Sequence, residues 1–419
     1  MQEEVTQKTI AISIQTAKLS AAVLQKAIKK LLAAGKNKLA EPHTGKQTLR
    51  QLRKHHAALS NVEITEQNIK AFSSVAKKYH MDFALKKDAT TQPPHFIVFF
   101  KGNDKDFSFA KAFCPYDFGG LRGCEARVWS FFRKYDPSMD KYADFVKGDP
   151  TKEPMPLYIK PNRKLSVQDV QNGMRDHFEG TALDMTKDAG AGPYKVPYRW
   201  RPMHFKVDGQ TYLNERAIAT QQSGFVIVPQ MRNWLPDAVG GILWFAADDA
   251  DMAVFNPVYS SSLTVPECFR VGNGDLYNFS WTSAFWIHNW VANMAYGKYS
   301  FMIQDIRKVQ QELENGYQSK IAVIDKAATE LYNKDPEEAR KFLTWFSTTT
   351  ADGATARWKQ LGEYLVVKYI DGNVKKEENG QFKRNQYGMP ASPDFPGYDE
   401  DYYRSIVNSA GDRLKVIDN

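Results

Sequence analysis

Cysteine is scarce in this chain. Three occur in 419 residues, Cys114, Cys124 and Cys268, and no two share a Cys-x-x-Cys spacing. So few thiols, odd in number, argue against a disulfide framework and against a structural zinc site. Long apolar runs are missing too. No stretch approaches the roughly 18 continuous apolar residues of a membrane span. The early run Ile10–Ile14 is short, follows Glu3 and Glu4, and is broken by Gln15, Thr16 and Lys18, so it does not read as a secretory leader. A reduced, cytoplasmic protein is the expectation. There is no Gly-x-Ser-x-Gly elbow, no phosphate-binding loop and no Gly-x-Gly-x-x-Gly turn. Histidine has no ligand spacing. His55 and His56 are adjacent, so they would point apart on a helix, and His177, His204 and His288 stand alone. Asp248, Asp249 and Asp251 lack the glycine and distal glutamate of a calcium loop and read as a solvated turn. No metal and no cofactor are expected.

Tryptophan is absent from the N-terminal region: all nine lie at or after Trp129. Charge divides the chain in the same way. Residues 1–102 hold 17 Lys and Arg against 7 Asp and Glu, a balance of +10, whereas the remainder is near-neutral at −2. The two textures suggest two units, the first basic enough to meet nucleic acid or an acidic partner. Its clusters Lys29-Lys30, Arg50–Lys54, Lys77-Lys78 and Lys86-Lys87 fit phosphate contacts, and equally fit solvated helix faces. No base-reading spacing is present. The 54 aromatic residues and the 42% hydrophobic fraction call for a substantial core.

Periodicity predicts helix over 3–34, a short basic helix over 47–58, and a helix capped by Thr65 with Ile69, Phe72, Val75 and Ala76 inward. Strands are predicted at Phe83–Leu85 and His95–Phe100, completing a small α+β module. Residues 106–113 and 121–135 read as helix, and 144–162 as loop. Ser166-Val-Gln-Asp169 has the form of a capping box opening a helix to about His177. Strands follow at 204–207, 211–213, 224–231, 241–246 and 252–259, then helix from about Ser280 to Tyr369, and a polar tail with a short helix near 402–409. No internal repeat is present.

Several runs resemble PepD-type dipeptidases. They include Cys124-Glu-Ala-Arg-Val-Trp129, Met174-Arg-Asp-His-Phe-Glu-Gly-Thr181, Tyr198-Arg-Trp-Arg-Pro202 and Asn214–Gln222. Gly240–Phe245, Val265-Pro-Glu-Cys-Phe-Arg270 and Phe279–Trp286 extend the likeness, which covers about 104–419. Residues 1–102 separately resemble PcfB-like proteins of conjugative transposons, through Gln2–Thr9, Leu24–Leu32, Gly45–Leu52 and Phe83–Lys87 with Phe96–Gly102. The seam falls at Lys101–Asp106, as a gene fusion, a recombination event or an assembly chimera would leave it.

The first resemblance implies an α+β fold: part of an α-β-β-α sandwich of the N-terminal-nucleophile hydrolases, with a helical C-terminal region, preceded by the small basic α+β module. It implies cysteine-type hydrolysis of dipeptides, with the thiol of a leading cysteine as nucleophile and its own α-amine as base. That cysteine precedes the region of likeness, so the expectation is a chain lacking its nucleophile and inactive as encoded, with Cys124 and Cys268 as packed thiols. A separately encoded front half is a possible partner. Arg127 is the candidate for an arginine that supports the nucleophile, or else pairs with Glu125. Asp176, His177, Glu179, Arg199 and Arg201 are candidates for lining a peptide pocket, or for a structural polar network. The second resemblance implies an accessory role in DNA transfer, with nucleic acid or a relaxosome protein as partner.

Overall fold

Short runs of apolar, aromatic and β-branched residues make the first strands. The computed structural model describes residues 46, 48, 49, 59–65, 69, 73, 82–88, 95–101, 117–156 and 158–417. The chain divides into two compact units, Met1–Lys160 and Pro161–Asn419. In the first, β1 (Leu59–Thr65), β2 (Phe83–Asp88) and β3 (His95–Lys101) form an antiparallel sheet in the order β1-β3-β2. Register pairs Val62 with Val98 and Leu85 with Val98, so β3 is central. Phe83, Ala84, Val98 and Phe99 are buried, whereas Lys86 and Lys87 are exposed. β2 and β3 match the expected strands. β1 was not foreseen, because Leu-Ser-Asn-Val-Glu-Ile-Thr carries only two β-branched aliphatic residues, Val62 and Ile64. The helices expected over 3–34 and 106–113, most of that over 47–58, and Cys114 lie outside the described residues.

The same unit holds α1 (Ala126–Arg133), entered through a π-helical turn at Leu121–Glu125. Trp129 anchors it, its indole N–H donating to the Met139 carbonyl at 2.8 Å. Residues 144–162, expected as loop, begin with the end of a helical turn, Ala143–Val146, whose Phe145 and Val146 are fully buried.

The second unit opens with α2 (Val167–Met174). Its capping box is formed as expected: Ser166 Oγ accepts from the Asp169 N–H, and Asp169 accepts from the Ser166 N–H. Arg163 adds a bidentate grip on Asp169 at 2.6 and 2.7 Å. β4 (His204–Val207) and β5 (Gln210–Leu213) form an exposed hairpin. β6 (Phe225–Met231), β7 (Gly241–Ala247) and β8 (Asn256–Tyr259) form an antiparallel sheet in that order. The last strand starts at Asn256, not at Met252, because Ala250–Met252 closes into a single 3-10 turn.

Three helices supply the core against this sheet. They are α3 (Ala284–Tyr296), α4 (Tyr299–Tyr332) and α5 (Pro336–Tyr369), the last two running 34 residues each. Pro336 sits at the first position of α5, where no amide hydrogen is needed, and the Asp335 carboxylate caps the N–H groups of Glu337 and Glu338. Trp244, Trp358, Tyr259, Ile242, Ile287, Ile306 and Leu343 meet in one buried cluster. Gly362 is required there, since a Cβ would come within 2.3 Å of the Trp290 ring. Asp305, Lys368, Tyr369 and Glu377 tie α4, α5 and the start of the tail together. The tail forms the two-residue strands β9 (Glu377–Glu378) and β10 (Gln381–Phe382), and ends with α6 (Glu400–Ala410). No helix among the described residues is long and apolar enough to cross a membrane.

Candidate functional site

The chain leaving α2 folds back on itself over four residues. Phe178 adopts φ 65°, a left-handed conformation costing about 1–2 kcal/mol for a residue with a Cβ. Complete burial of its ring and a 3.2 Å hydrogen bond from its N–H to Asp176 Oδ2 hold it there. This reversal brings Glu179 back to His177. One Glu179 oxygen accepts from the His177 backbone N–H at 2.9 Å, and the other lies 3.1 Å from Nδ1. The opposite ring nitrogen, Nε2, is 3.2 Å from the Tyr198 hydroxyl. That hydroxyl gives its single proton to Asp249 Oδ2 in a short bond.

These contacts favour the charged form of His177. An ionised carboxylate can only accept, so Nδ1 donates to Glu179, and while Asp249 is ionised and takes the Tyr198 proton, Nε2 donates as well. The ring is fully buried. Burial pulls its pKa down, but the carboxylates of Asp251, Glu179 and Asp249 outweigh that and hold it above its ordinary value. His177 in turn keeps Glu179 well below the usual carboxylate range, against the effect of its partial burial.

Asp248, Asp249 and Asp251 overturn the expectation of a solvated turn: they are 1%, 0% and 0% exposed. The loop is carried into the interior by Ala246 and Ala247 before it and by Met252, Ala253, Val254 and Phe255 after it, all buried. Residues distant in sequence then match its polar groups. Arg307 of α4 pairs with the Asp251 carboxylate and donates to its carbonyl. Tyr299 donates to Asp251 Oδ2 at 2.8 Å, and Gln310 to the carbonyls of Asp251 and Ala253 at 3.1 and 2.6 Å. Arg175, itself buried against Glu314 at 2.5 Å, donates to the carbonyls of Ala250 and Ala253.

Asp248 has the least support. Asn289 donates to Oδ1 at 3.0 Å, and buried Oδ2 has no hydrogen-bond partner among the described residues. Burial, reinforced by the neighbouring Asp249 charge, pushes its pKa up to about 7. Burial and the Asp251 charge raise Asp249 as well. Burial, reinforced by the charges of Asp249, Asp248 and Asp251, also raises the pKa of the Tyr296 hydroxyl. The loop can thus hold or release a proton near neutrality.

The structure brings Asp176, His177 and Glu179 into one turn, with Tyr198 completing their network. Arg199 is next in the chain but turns to Asp188, whose two oxygens lie 2.9 Å from Nη2, and Arg201 is exposed. Arg127 belongs to the other unit. Its Nε donates to the Gly123 carbonyl at 2.9 Å, a bond within the π-helical entry to α1. Cys268 is a packed thiol, as expected, and burial raises its pKa. Cys124 is not: it is exposed on the π-helical turn. His288 is structural. It donates from Nδ1 to the Ala284 carbonyl at 2.8 Å, stacks on Trp358, and is pulled down to about 4 by burial, so it stays neutral.

Among the described residues of the second unit, two cavities stand out. One of about 620 Å³ lies beside the buried Arg232–Asp325 pair, which also receives the Tyr259 hydroxyl at 2.7 Å. The other, about 390 Å³, lies where β6 begins and β7 ends. It adjoins the acidic loop: Gly224 and Ala247 line it, and the Asp248 N–H donates to the Gly224 carbonyl at 2.9 Å. No cluster of three or more potential metal ligands occurs among the described residues.

Comparison with known proteins adds the following. A family described as Peptidase family C69 matches residues 55–312, a stretch that holds β1–β8, the histidine network and the acidic loop. A probable dipeptidase of Latilactobacillus sakei is 26% identical over 218 residues, covering 52% of this chain and 39% of that protein. Dipeptidase A of Lactobacillus helveticus is 23% identical over 194 residues, 46% of this chain and 33% of its own length. A probable dipeptidase of Salmonella dublin is 27% identical over 133 residues, 32% and 25% of the two chains. The chain thus spans well under half the length of these relatives. The match begins at residue 55, within the basic segment that composition sets apart.

Proposed function

Because the chain belongs to peptidase family C69, we propose that its second unit is the peptide-handling part of a dipeptide hydrolase, built around the His177 network and the acidic loop. The observation that carries this reading is the buried hydrogen-bonded chain Glu179–His177–Tyr198–Asp249, which lies within the family-matched stretch. Burial pushes the carboxyl of Asp248, next in the chain to Asp249, up to about 7, so this region can hold or release a proton near neutrality, of use in cleaving an amide. Asp176, His177, Glu179, Arg199 and Arg201 belong to the peptide pocket on this reading. Arg199 positions the loop through Asp188, and Arg201 is exposed. Arg127 is the supporting arginine. On this reading the surrounding fold is part of an α-β-β-α sandwich, and the compartment is the cytoplasm.

The described thiols do not supply the nucleophile. Cys268 is buried and held protonated, while the nitrogen of Cys124 is locked in a helical peptide bond. The 419-residue chain by itself is therefore proposed not to hydrolyse dipeptides. Incubating the purified chain with a dipeptide panel, before and after thiol alkylation, tests this. No release of amino acids is expected, and alkylation-sensitive release would refute it.

The +10 balance of residues 1–102 supports a second reading, in which that segment forms a PcfB-like module and meets nucleic acid or a relaxosome protein during DNA transfer. DNA binding that weakens steeply with salt is expected on this reading. Absence of binding at low salt would remove it.

A further inference from the structure

The smaller cavity has a character the reading above leaves unused. Its walls are aromatic, formed by Phe225, Phe245, Phe269, Phe285 and Trp286. The rings hold one another: Phe225 stacks on Phe245 at 5.7 Å, Phe269 meets Phe245 edge-on at 4.6 Å, and Phe285 meets Trp286 at 5.3 Å. Its size falls within the roughly 300–1,000 Å³ of small-ligand sites.

The loop over the cavity is exposed yet braced. Asn273 Oδ1 accepts from Ser280 at 2.6 Å and Thr282 at 3.0 Å, and the Trp286 indole donates to the Asp275 carbonyl at 3.0 Å. Gly274, at φ 81°, fits because a Cβ would come within 2.9 Å of the Asn278 carbonyl oxygen. These bonds fix the cavity's rim.

Two lining side chains are charged, and they differ in availability. Asp275 is committed to its own turn, accepting from the Tyr277 and Asn278 N–H groups and from Asn278 Nδ2, bonds that hold its pKa below the usual range. Among the described residues Arg270 pairs only with Glu267, at 2.7 Å, and both side chains are about half in water or more. Such a surface pair is worth about 1 kcal/mol or less, so another carboxylate can replace it. The cavity therefore presents an aromatic floor and one exchangeable guanidinium.

We propose that this cavity is the subsite for a large apolar side chain at the carboxyl end of a peptide, with Arg270 receiving that peptide's free carboxylate. The proposal rests on the peptidase reading for the identity of the ligand. It places the peptide beside the acidic loop, since Gly224 and Ala247 belong to the cavity wall and Asp248 is bonded to the first and follows the second.

Titration calorimetry of the full chain with leucyl-phenylalanine, its carboxy-terminal amide and glycyl-aspartate tests it. Leucyl-phenylalanine should bind saturably and glycyl-aspartate far more weakly. The amide should bind about tenfold more weakly than the acid, for loss of a charge-assisted bidentate contact. In Arg270→Gln the acid and amide should bind equally. Phe225→Ser, at a ring already 62% exposed and so tolerant of change, should weaken both. No saturable binding to folded protein, or an acid-to-amide ratio unchanged in Arg270→Gln, overturns the subsite. Turnover with an unchanged ratio removes the subsite and keeps the hydrolase reading. Selective binding without turnover supports the subsite even where hydrolysis fails.

Discussion

The two ends of the acidic loop solve the same problem differently. Asp251 and Asp248 are three residues apart, and both are shut away from water. Asp251 faces α4, which brings a guanidinium and two further donors to it and its carbonyl. Asp248 faces α3, which brings only the amide of Asn289, and its pKa climbs to about 7. Burial alone does not decide the fate of a carboxylate. The helix it packs against does, through the cation that helix carries or lacks. One end of the loop is thus a fixed strut and the other a proton carrier.

The largest effect is expected at the strut. Arg307→Met keeps much of the stem's packing but leaves Asp251 charged and buried without its cation, and should cost about 3–5 kcal/mol. Denaturant unfolding at neutral pH measures this. A loss below about 1 kcal/mol would show that Tyr299 and Gln310 suffice, and would erase the contrast.

An intermediate effect is expected from the carrier. The folded-state pKa of Asp248 lies above its value of 3.8 in the unfolded chain, so its contribution to stability is full below about pH 4 and is lost as pH rises through 7. Asp249 and His177, both raised, act with the same sign. Stability should therefore fall between pH 5 and 8, with Asp248 accounting for about 3 kcal/mol at about 1.4 kcal/mol per pH unit. Asp248→Asn should flatten most of that slope, and an unchanged slope would remove Asp248 as its source.

The smallest effect should come from Glu179→Gln. The carboxylate is half exposed, so its bond to His177 is worth about 1 kcal/mol or less after solvent screening. Its clearer signature is a lower pKa of His177, readable from the imidazole resonances. A histidine pKa that does not move would mean the ring is set by Asp249 and Asp251 alone.

The same contrast explains what could be read in advance. Local patterns are legible: the capping box at Ser166, the strand-like run of β6, the helical pattern of α4 and α5, and the run containing Asp176, His177 and Glu179. The acidic loop was not, because the side chains that make its burial tolerable, Arg307, Gln310 and Arg175, lie more than fifty residues away in sequence. One signal was present, since three aspartates sit inside an otherwise apolar run from Ala246 to Phe255. Tyr198 lies in the Tyr198–Pro202 run beside Arg199 and Arg201, but only the fold shows its hydroxyl bridging His177 and Asp249. Cys124 was misjudged for a similar reason: which face of a π-helical turn meets solvent depends on packing that spacing alone does not reveal.

Following the carboxyl resonances of isotope-labelled aspartate through a pH titration, in the wild type and in Asp248→Asn, tests the proton-carrying loop most directly. One resonance should titrate near pH 7 and be missing from the variant. If every aspartate titrates below about pH 5, within the ordinary carboxylate range, Asp248 holds no proton at neutrality and the loop is only a scaffold.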